Sequence, residues 1–106
     1  MSDPARRIDL RTDHLALIRN ILRKHIPDRE VVVFGSRATW TAREYSDLDL
    51  AVCGSKPLTV DTRSALAEEL GESDLPFKVD IVDWARIDGS FRDIIRRDGI
   101  ALNLSG

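Results

Sequence analysis

Asp47 and Asp49 flank Leu48, and a spacing of two puts both carboxylates on one face of a β-strand while Leu48 and Leu50 point the other way. Two carboxylates on one face repel each other and lose solvation, a cost usually tolerated where a cation sits between them. Ligands that are all carboxylate oxygen suit a hard ion, so the pattern points to magnesium or manganese rather than zinc. Asp80 offers a third carboxylate. It sits in Lys78-Val79-Asp80-Ile81-Val82, an otherwise apolar strand in which a charge is costly unless compensated. Taken singly, each aspartate has a plain structural explanation: one at a strand end caps a turn, and Asp80 lies on the solvated face of an edge strand. Together they read as a metal-binding, catalytic set. Asp83, three positions later, falls on the opposite face and is expected to cap or orient the turn before Trp84.

The second half of the constellation is Gly35-Ser36, directly after a short apolar run. Backbone N–H groups at a strand-to-helix junction cradle anions, and glycine lets a phosphate approach the chain closely. Ser36 adds a hydroxyl donor, and Arg37 a planar fork suited to phosphate oxygens. A Gly-Ser pair alone occurs at many turns. Specificity comes from the combination of Gly35-Ser36, ten intervening residues and Asp47-Leu48-Asp49 on consecutive strands.

The elements that must position these residues follow from periodicity. Leu15, Ile18, Leu22 and Ile26 recur at helical spacing, so residues 12–26 read as a helix, capped by Thr12 or Asp9 and stopped at Pro27. Val31-Val32-Val33-Phe34 is too short for a helix and reads as a buried strand. Residues 36–43 start a short helix with Ser36 as N-cap, and residues 48–53 form a second strand. A helix fits residues 60–70, with Thr59 as N-cap and Gly71 as the residue that ends it. A third strand covers 77–82. A last helix covers 89–98, capped by Asp88, with Phe91, Ile94 and Ile95 inward, and residues 100–104 add a short edge strand. The order helix, strand, helix, strand, helix, strand, helix predicts an α/β fold layered around a small sheet.

Composition sets the outer limits. A chain of 106 residues, 42% apolar and 32% charged, is expected to be one globular domain with its core in residues 12–102. No apolar run reaches the roughly 20 residues of a membrane span, and Met1 to Arg7 lack the apolar stretch of a signal peptide. One cysteine, Cys53, excludes an internal disulfide and a zinc framework, and a reducing cytoplasm fits best. Net charge of −2 offers no sink for nucleic acid, so stable binding to it is not expected. Arg6, Arg7, Arg11, Arg19, Arg23, Lys24 and Arg29 read as the solvated face of an amphipathic helix.

The segments Val33-Phe34-Gly35-Ser36-Arg37-Ala38 and Ser46-Asp47-Leu48-Asp49-Leu50-Ala51-Val52, with Asp80 on the next strand, resemble the polymerase-β-like nucleotidyltransferase superfamily, and most of all its minimal nucleotidyltransferases. The resemblance spans residues 12–102. It implies that Asp47 and Asp49 bind two magnesium ions while Asp80 binds the catalytic one, and that ATP is the donor, held by Gly35, Ser36 and Arg37. Two ions roughly 3.5–4 Å apart would clamp the attacking and leaving oxygens of an in-line displacement. In the branch, Arg37 is often followed by Ala-Arg-Gly, whereas here Ala38-Thr39-Trp40 follows, leaving Arg43 as the substitute phosphate contact.

Minimal nucleotidyltransferases of this kind are typically antitoxins that AMPylate a tyrosine of a HEPN-domain ribonuclease toxin. The resemblance therefore implies a HEPN partner, or a pocket built by a homodimer or hetero-oligomer, since the chain leaves no room for an acceptor domain. Two other classes compete: an enzyme that modifies a small molecule such as an antibiotic, and a non-catalytic module that binds the toxin. Trp40, Tyr45 and Trp84 are left between nucleotide, partner and plain packing, with Trp84 expected to cover the core.

Overall fold

The computed structural model describes residues 7–104, so of the stretch read above for a targeting signal only Arg7 is described, and Met1 to Arg6 lie outside the described residues. The elements are α1 (Thr12–His25), β1 (Val31–Phe34), α2 (Ser36–Thr39), β2 (Leu48–Val52), α3 (Val60–Glu72), β3 (Val79–Asp83), a 3-10 turn (Trp84–Arg86), α4 (Gly89–Asp98) and β4 (Ile100–Leu102). They form one mixed sheet in the order β3-β2-β1-β4. β1 runs antiparallel to β2 and β4, whereas β2 and β3 are parallel. A parallel pair needs a crossover of a dozen or more residues, and α3 supplies it. This is the α/β arrangement that the sequence predicts.

Period-two alternation divides the core between the two sheet faces. Val31, Val33, Leu48, Leu50 and Val52 meet Ile18 and Leu22 of α1 and Leu66 and Leu70 of α3. Phe34 and Ala51 meet Ile95 of α4, with Val32, Val82, Trp84 and Phe91 packed around them. Phe34 and Phe91 stack edge to face, their centroids 5.5 Å apart. Ile94, expected inward, is 46% exposed. The inward positions of α4 are Phe91 and Ile95, four apart, and Ile94 lies beside that seam.

Several element ends differ from the sequence reading for identifiable reasons. Thr59 and Asp88 cap as expected, accepting from the N–H groups of Thr62 and Phe91. Neither Thr12 nor Asp9 caps α1: Arg11 occupies the N-cap position, with no side-chain bond, and Thr12 is already inside the helix. Ser36 likewise is the first residue of α2, whose N-cap is Gly35. That helix ends at Thr39 rather than Arg43, because Trp40 turns left-handed with φ of 62°. Gly71 does not end α3, which continues to Glu72 and closes with the Ser73 hydroxyl donating to the Leu70 carbonyl.

The arginines expected on a solvated face are partly clamps. Arg19 and Arg23, one turn apart on α1, donate through Nε to the carbonyls of Asn103 and Leu104 at 2.7 and 2.6 Å. Arg29 donates to the carbonyls of Cys53 and Lys56, pinning the turn after β2. Among the described residues, no helix is long and apolar enough to cross a membrane.

Asp83 also departs from its expected part. It is 3% exposed at the end of β3, and its carboxylate accepts from the Leu58 N–H at 3.0 Å and from Arg63 Nη1 at 2.9 Å. Arg63 Nη2 donates to the Ile81 carbonyl at 2.7 Å. One buried carboxylate thus ties the start of the crossover to the strand that carries Asp80; at the turn it makes no cap bond, although Asp83 holds the N-cap position and its carboxylate lies 3.9 Å from Nε of Arg86 in that turn. Asp83→Ala strands the buried Leu58 N–H and leaves Arg63 with only its bond to the Ile81 carbonyl, and is expected to cost about 1–3 kcal/mol. Urea unfolding checks this, and a midpoint within error of wild type would show that the tie contributes nothing.

Candidate active site

Strand register brings the sequence candidates into one row. Phe34 stands opposite Asp49 across the β1–β2 ladder, and Asp49 stands beside Asp80 across the β2–β3 ladder. By alternation Asp49 shares its sheet face with Ala51 and Asp80 with Val82, so both carboxylates project on the α4 side. Leu48, Leu50, Val79 and Ile81 point into the opposite core. Asp49 and Asp80 are half-buried, whereas Asp47 is exposed, one residue ahead of β2.

The carboxylates sense one another. Burial pushes the Asp49 carboxyl above the ordinary aspartate value, and the charges of Asp80 and then Asp47 push it further. Like charges grouped on a strand end are unfavourable by themselves and become favourable around a cation. All-oxygen donors fit a hard divalent ion such as magnesium in kind. Among the described residues, however, no three carboxylate, imidazole or thiol side chains converge closely enough to enclose an ion. The expected three-aspartate set is therefore adjacent and electrostatically coupled, but not closed.

Gly35 joins the phosphate half of the constellation to the carboxylate half. It follows Phe34, the residue paired with Asp49, and a Cβ at Gly35 would run into the Asp49 carboxylate. Its φ of 75° also favours glycine, so two independent constraints fix the residue type. Ser36 opens α2; the Gly35 carbonyl takes the N–H groups of Ala38 and Thr39 at 3.0 and 3.1 Å, so only the N–H groups of Ser36 and Arg37, ahead of that turn, have no acceptor within the helix.

Arg37 is the main correction to the sequence reading. It is 6% exposed, and its fork is committed to backbone carbonyls: Nη1 to Asp9 at 2.9 Å, Nη2 to Glu44 at 3.1 Å and to Ser46 at 2.9 Å, with Nε also on Ser46. Its guanidinium lies 4.4 Å from the centroid of the Phe77 ring. A fork held in this way is not available to clamp phosphate. Arg43 is exposed on the following loop, where its N–H is held by the Ser46 hydroxyl, so its side chain remains a candidate phosphate contact. Trp40 and Tyr45 are 58% and 66% exposed on that same loop. Trp84 covers the second core as expected, with Arg92 and Arg96 over its ring. Ser46 and Phe77, legible in the sequence only as a motif neighbour of Asp47 and as the start of the strand of Asp80, are residues that Arg37 engages.

Comparison with known proteins identifies the family and the fold. The family model for polymerase beta nucleotidyltransferases matches residues 16–104. The chain is 44% identical over 90 residues to a probable protein adenylyltransferase MntA of Haemophilus influenzae, covering 85% of this chain and 79% of that protein. Among solved structures, it is similar to a toxin–antitoxin bound to AMP-PNP, with a TM-score of 0.70 and 28% identity over 88% of this chain and 73% of the other. It is also similar to an MNT antitoxin in complex with the tri-AMPylated HEPN toxin of Shewanella oneidensis, with a TM-score of 0.61 and 28% identity over 84% and 71% of the two chains.

The raised Asp49 carboxyl makes a pH prediction. A group whose folded value lies above its unfolded one stabilises fully below the unfolded value, about 3.9 for aspartate, and loses that contribution as pH rises through the folded value. Ionised Asp49 therefore works against the metal-free fold near neutrality. Asp49→Asn is expected to be more stable than wild type without metal at about pH 7, with the gain shrinking to nothing below about pH 4. Urea midpoints at the two pH values check it, and a variant less stable than wild type at neutral pH refutes it.

Proposed function

This chain belongs to the polymerase β nucleotidyltransferase family, and we propose that it transfers AMP from ATP to a hydroxyl of a partner protein, a HEPN-domain toxin that it holds in check as the antitoxin. The observation that carries this reading is the single row in which Gly35 abuts Asp49 and Asp49 lies beside Asp80. The likeness to an MntA adenylyltransferase and to an MNT antitoxin complexed with an AMPylated toxin supports the choice of donor and acceptor.

In this mechanism Asp47 and Asp49 would hold two divalent ions, magnesium or manganese, and Asp80 would complete the catalytic one. Bound there, they would supply charge neutralisation at the α-phosphate and would acidify the acceptor hydroxyl. Gly35, without a side chain, admits the triphosphate to the first turn of α2, where the Ser36 N–H and hydroxyl donate to phosphate oxygens. Arg43 reaches the same oxygens from the loop. Asp80 receives the proton of the acceptor hydroxyl as the hydroxyl oxygen attacks the α-phosphorus, the bond from that phosphorus to the β-phosphate oxygen breaks, and pyrophosphate leaves. Tyr45, exposed two residues ahead of Asp47, and Trp40, exposed at the start of that loop with its Nε1 on the Arg7 carbonyl, are residue types that anchor a protein partner well.

Incubation with ATP, magnesium and the product of the adjacent gene, expected to be a HEPN-domain protein, followed by intact-mass spectrometry, tests the reading. The partner is expected to gain one or more AMP units, and Asp47→Ala to abolish the gain. Adenylylation of an aminoglycoside with the partner left unmodified would replace this function with a small-molecule one. Asp80→Asn is expected to slow transfer by about 10²–10³ while ATP affinity, read by calorimetry, stays close to wild type. Transfer at the wild-type rate would make Asp80 structural.

A further inference from the structure

We infer that Arg37 is a positioning residue that sets Asp47 and Asp80 relative to each other, reaching the first through the Ser46 carbonyl and the second through the Phe77 ring. The inference rests on the transfer reading above for what the two aspartates do, but not for how they are placed.

Asp47 has no partner in the strand ladder, because β2 begins at Leu48. Its position is set by its two neighbours. On one side Leu48 donates to the Lys78 carbonyl at 2.9 Å. On the other, the Ser46 carbonyl accepts two bonds from one guanidinium, from Nε at 3.1 Å and from Nη2 at 2.9 Å. The Ser46 N–H and hydroxyl are bound to the backbone of Arg43, so the loop closes on itself at this residue. Arg37 is thus the contact that ties this closed loop to the body of the protein at the residue before Asp47.

The same guanidinium lies over Phe77, whose ring also takes the edge of His14 at a centroid distance of 5.6 Å. Phe77 leads through Lys78 and Val79 to Asp80, and the Lys78 carbonyl is the one that receives Leu48. One buried side chain therefore contacts the approach to both carboxylate strands. It rises from α2, the helix opened by Gly35-Ser36, so the phosphate cradle and the carboxylates share one rigid anchor. A lysine would keep the charge and stem but present one point in place of a fork.

The test compares wild type, Arg37→Lys and Phe77→Leu in two measurements. In metal-free protein, hydrogen exchange at the Ser46 and Leu48 amides is expected to quicken about tenfold in Arg37→Lys, with Ile18 and Leu66 unchanged. In the transfer assay, kcat is expected to fall about 100-fold, as a small displacement of reacting groups can cost, with KM for ATP within about threefold of wild type. Phe77→Leu keeps the fork and loses the ring, and is expected to show the same split with faster exchange at Leu48. It serves alone if the lysine variant does not fold. Unchanged exchange overturns the inference, and so does faster exchange with unchanged kcat. A raised KM for ATP with unchanged exchange returns Arg37 to the phosphate. If wild type modifies no acceptor while the exchange effect stands, the transfer reading fails and the anchoring of both strands by Arg37 holds.

Discussion

Two like charges held side by side across a parallel ladder are the constraint to which the rest of this structure answers. At the spacing of adjacent strands, about 5 Å, and an effective dielectric near 20, two carboxylates repel by about 3 kcal/mol. Asp49 and Asp80 remain adjacent because their neighbours decide the register. Leu48 and Leu50 are fully buried on the reverse face, with Val79 and Ile81 packed beside them. Each such side chain contributes about 1.5–3 kcal/mol when buried, and a slip of one residue would turn them to solvent and the aspartates into the core. Apolar burial on one face thus holds the charged row on the other.

Irregular segments carry much of the site, and arginine forks on backbone carbonyls fix them. Arg37 holds the loop before Asp47, and Arg29 holds the turn after β2. Arg92 donates twice to the Trp84 carbonyl and so fastens the turn after β3 to α4. Bonds with a charged donor exceed neutral ones in strength, and one fork can serve two or three carbonyls at once. In a small domain with little core to spare, such contacts shape loops that burial alone leaves undefined.

What the sequence made legible was set by local rules. Val31–Phe34 could be little else than a strand, Thr59 and Asp88 cap through bonds three residues away, and the alternation around Asp49 and Asp80 declares its face. What stayed hidden depended on partners without a sequence signature. Arg37 sits beside Gly35-Ser36 and so invites a phosphate reading, yet its acceptors are backbone carbonyls of Asp9, Glu44 and Ser46, which any residue type supplies. Asp83 looked like a turn residue because its partners, Leu58 and Arg63, lie across the crossover. Trp40 ends α2 in a left-handed conformation that glycine or asparagine would have announced.

The bond from Arg63 to Ile81 bears on how such molecules behave when crowded. β3 is an outer strand of an open sheet, and an outer strand offers its unpaired carbonyls as a template for another chain. Because the Lys78 carbonyl faces β2, the alternation of a parallel ladder turns that of Ile81 outward. The guanidinium occupies that outward carbonyl at the middle residue of the five that make the strand. A strand adding itself here would have to displace a charged donor that is also tied to Asp83. The strand bearing Asp80 is thereby guarded against self-association without a proline, a bulge or a covering helix, and the carboxylate row keeps its open side.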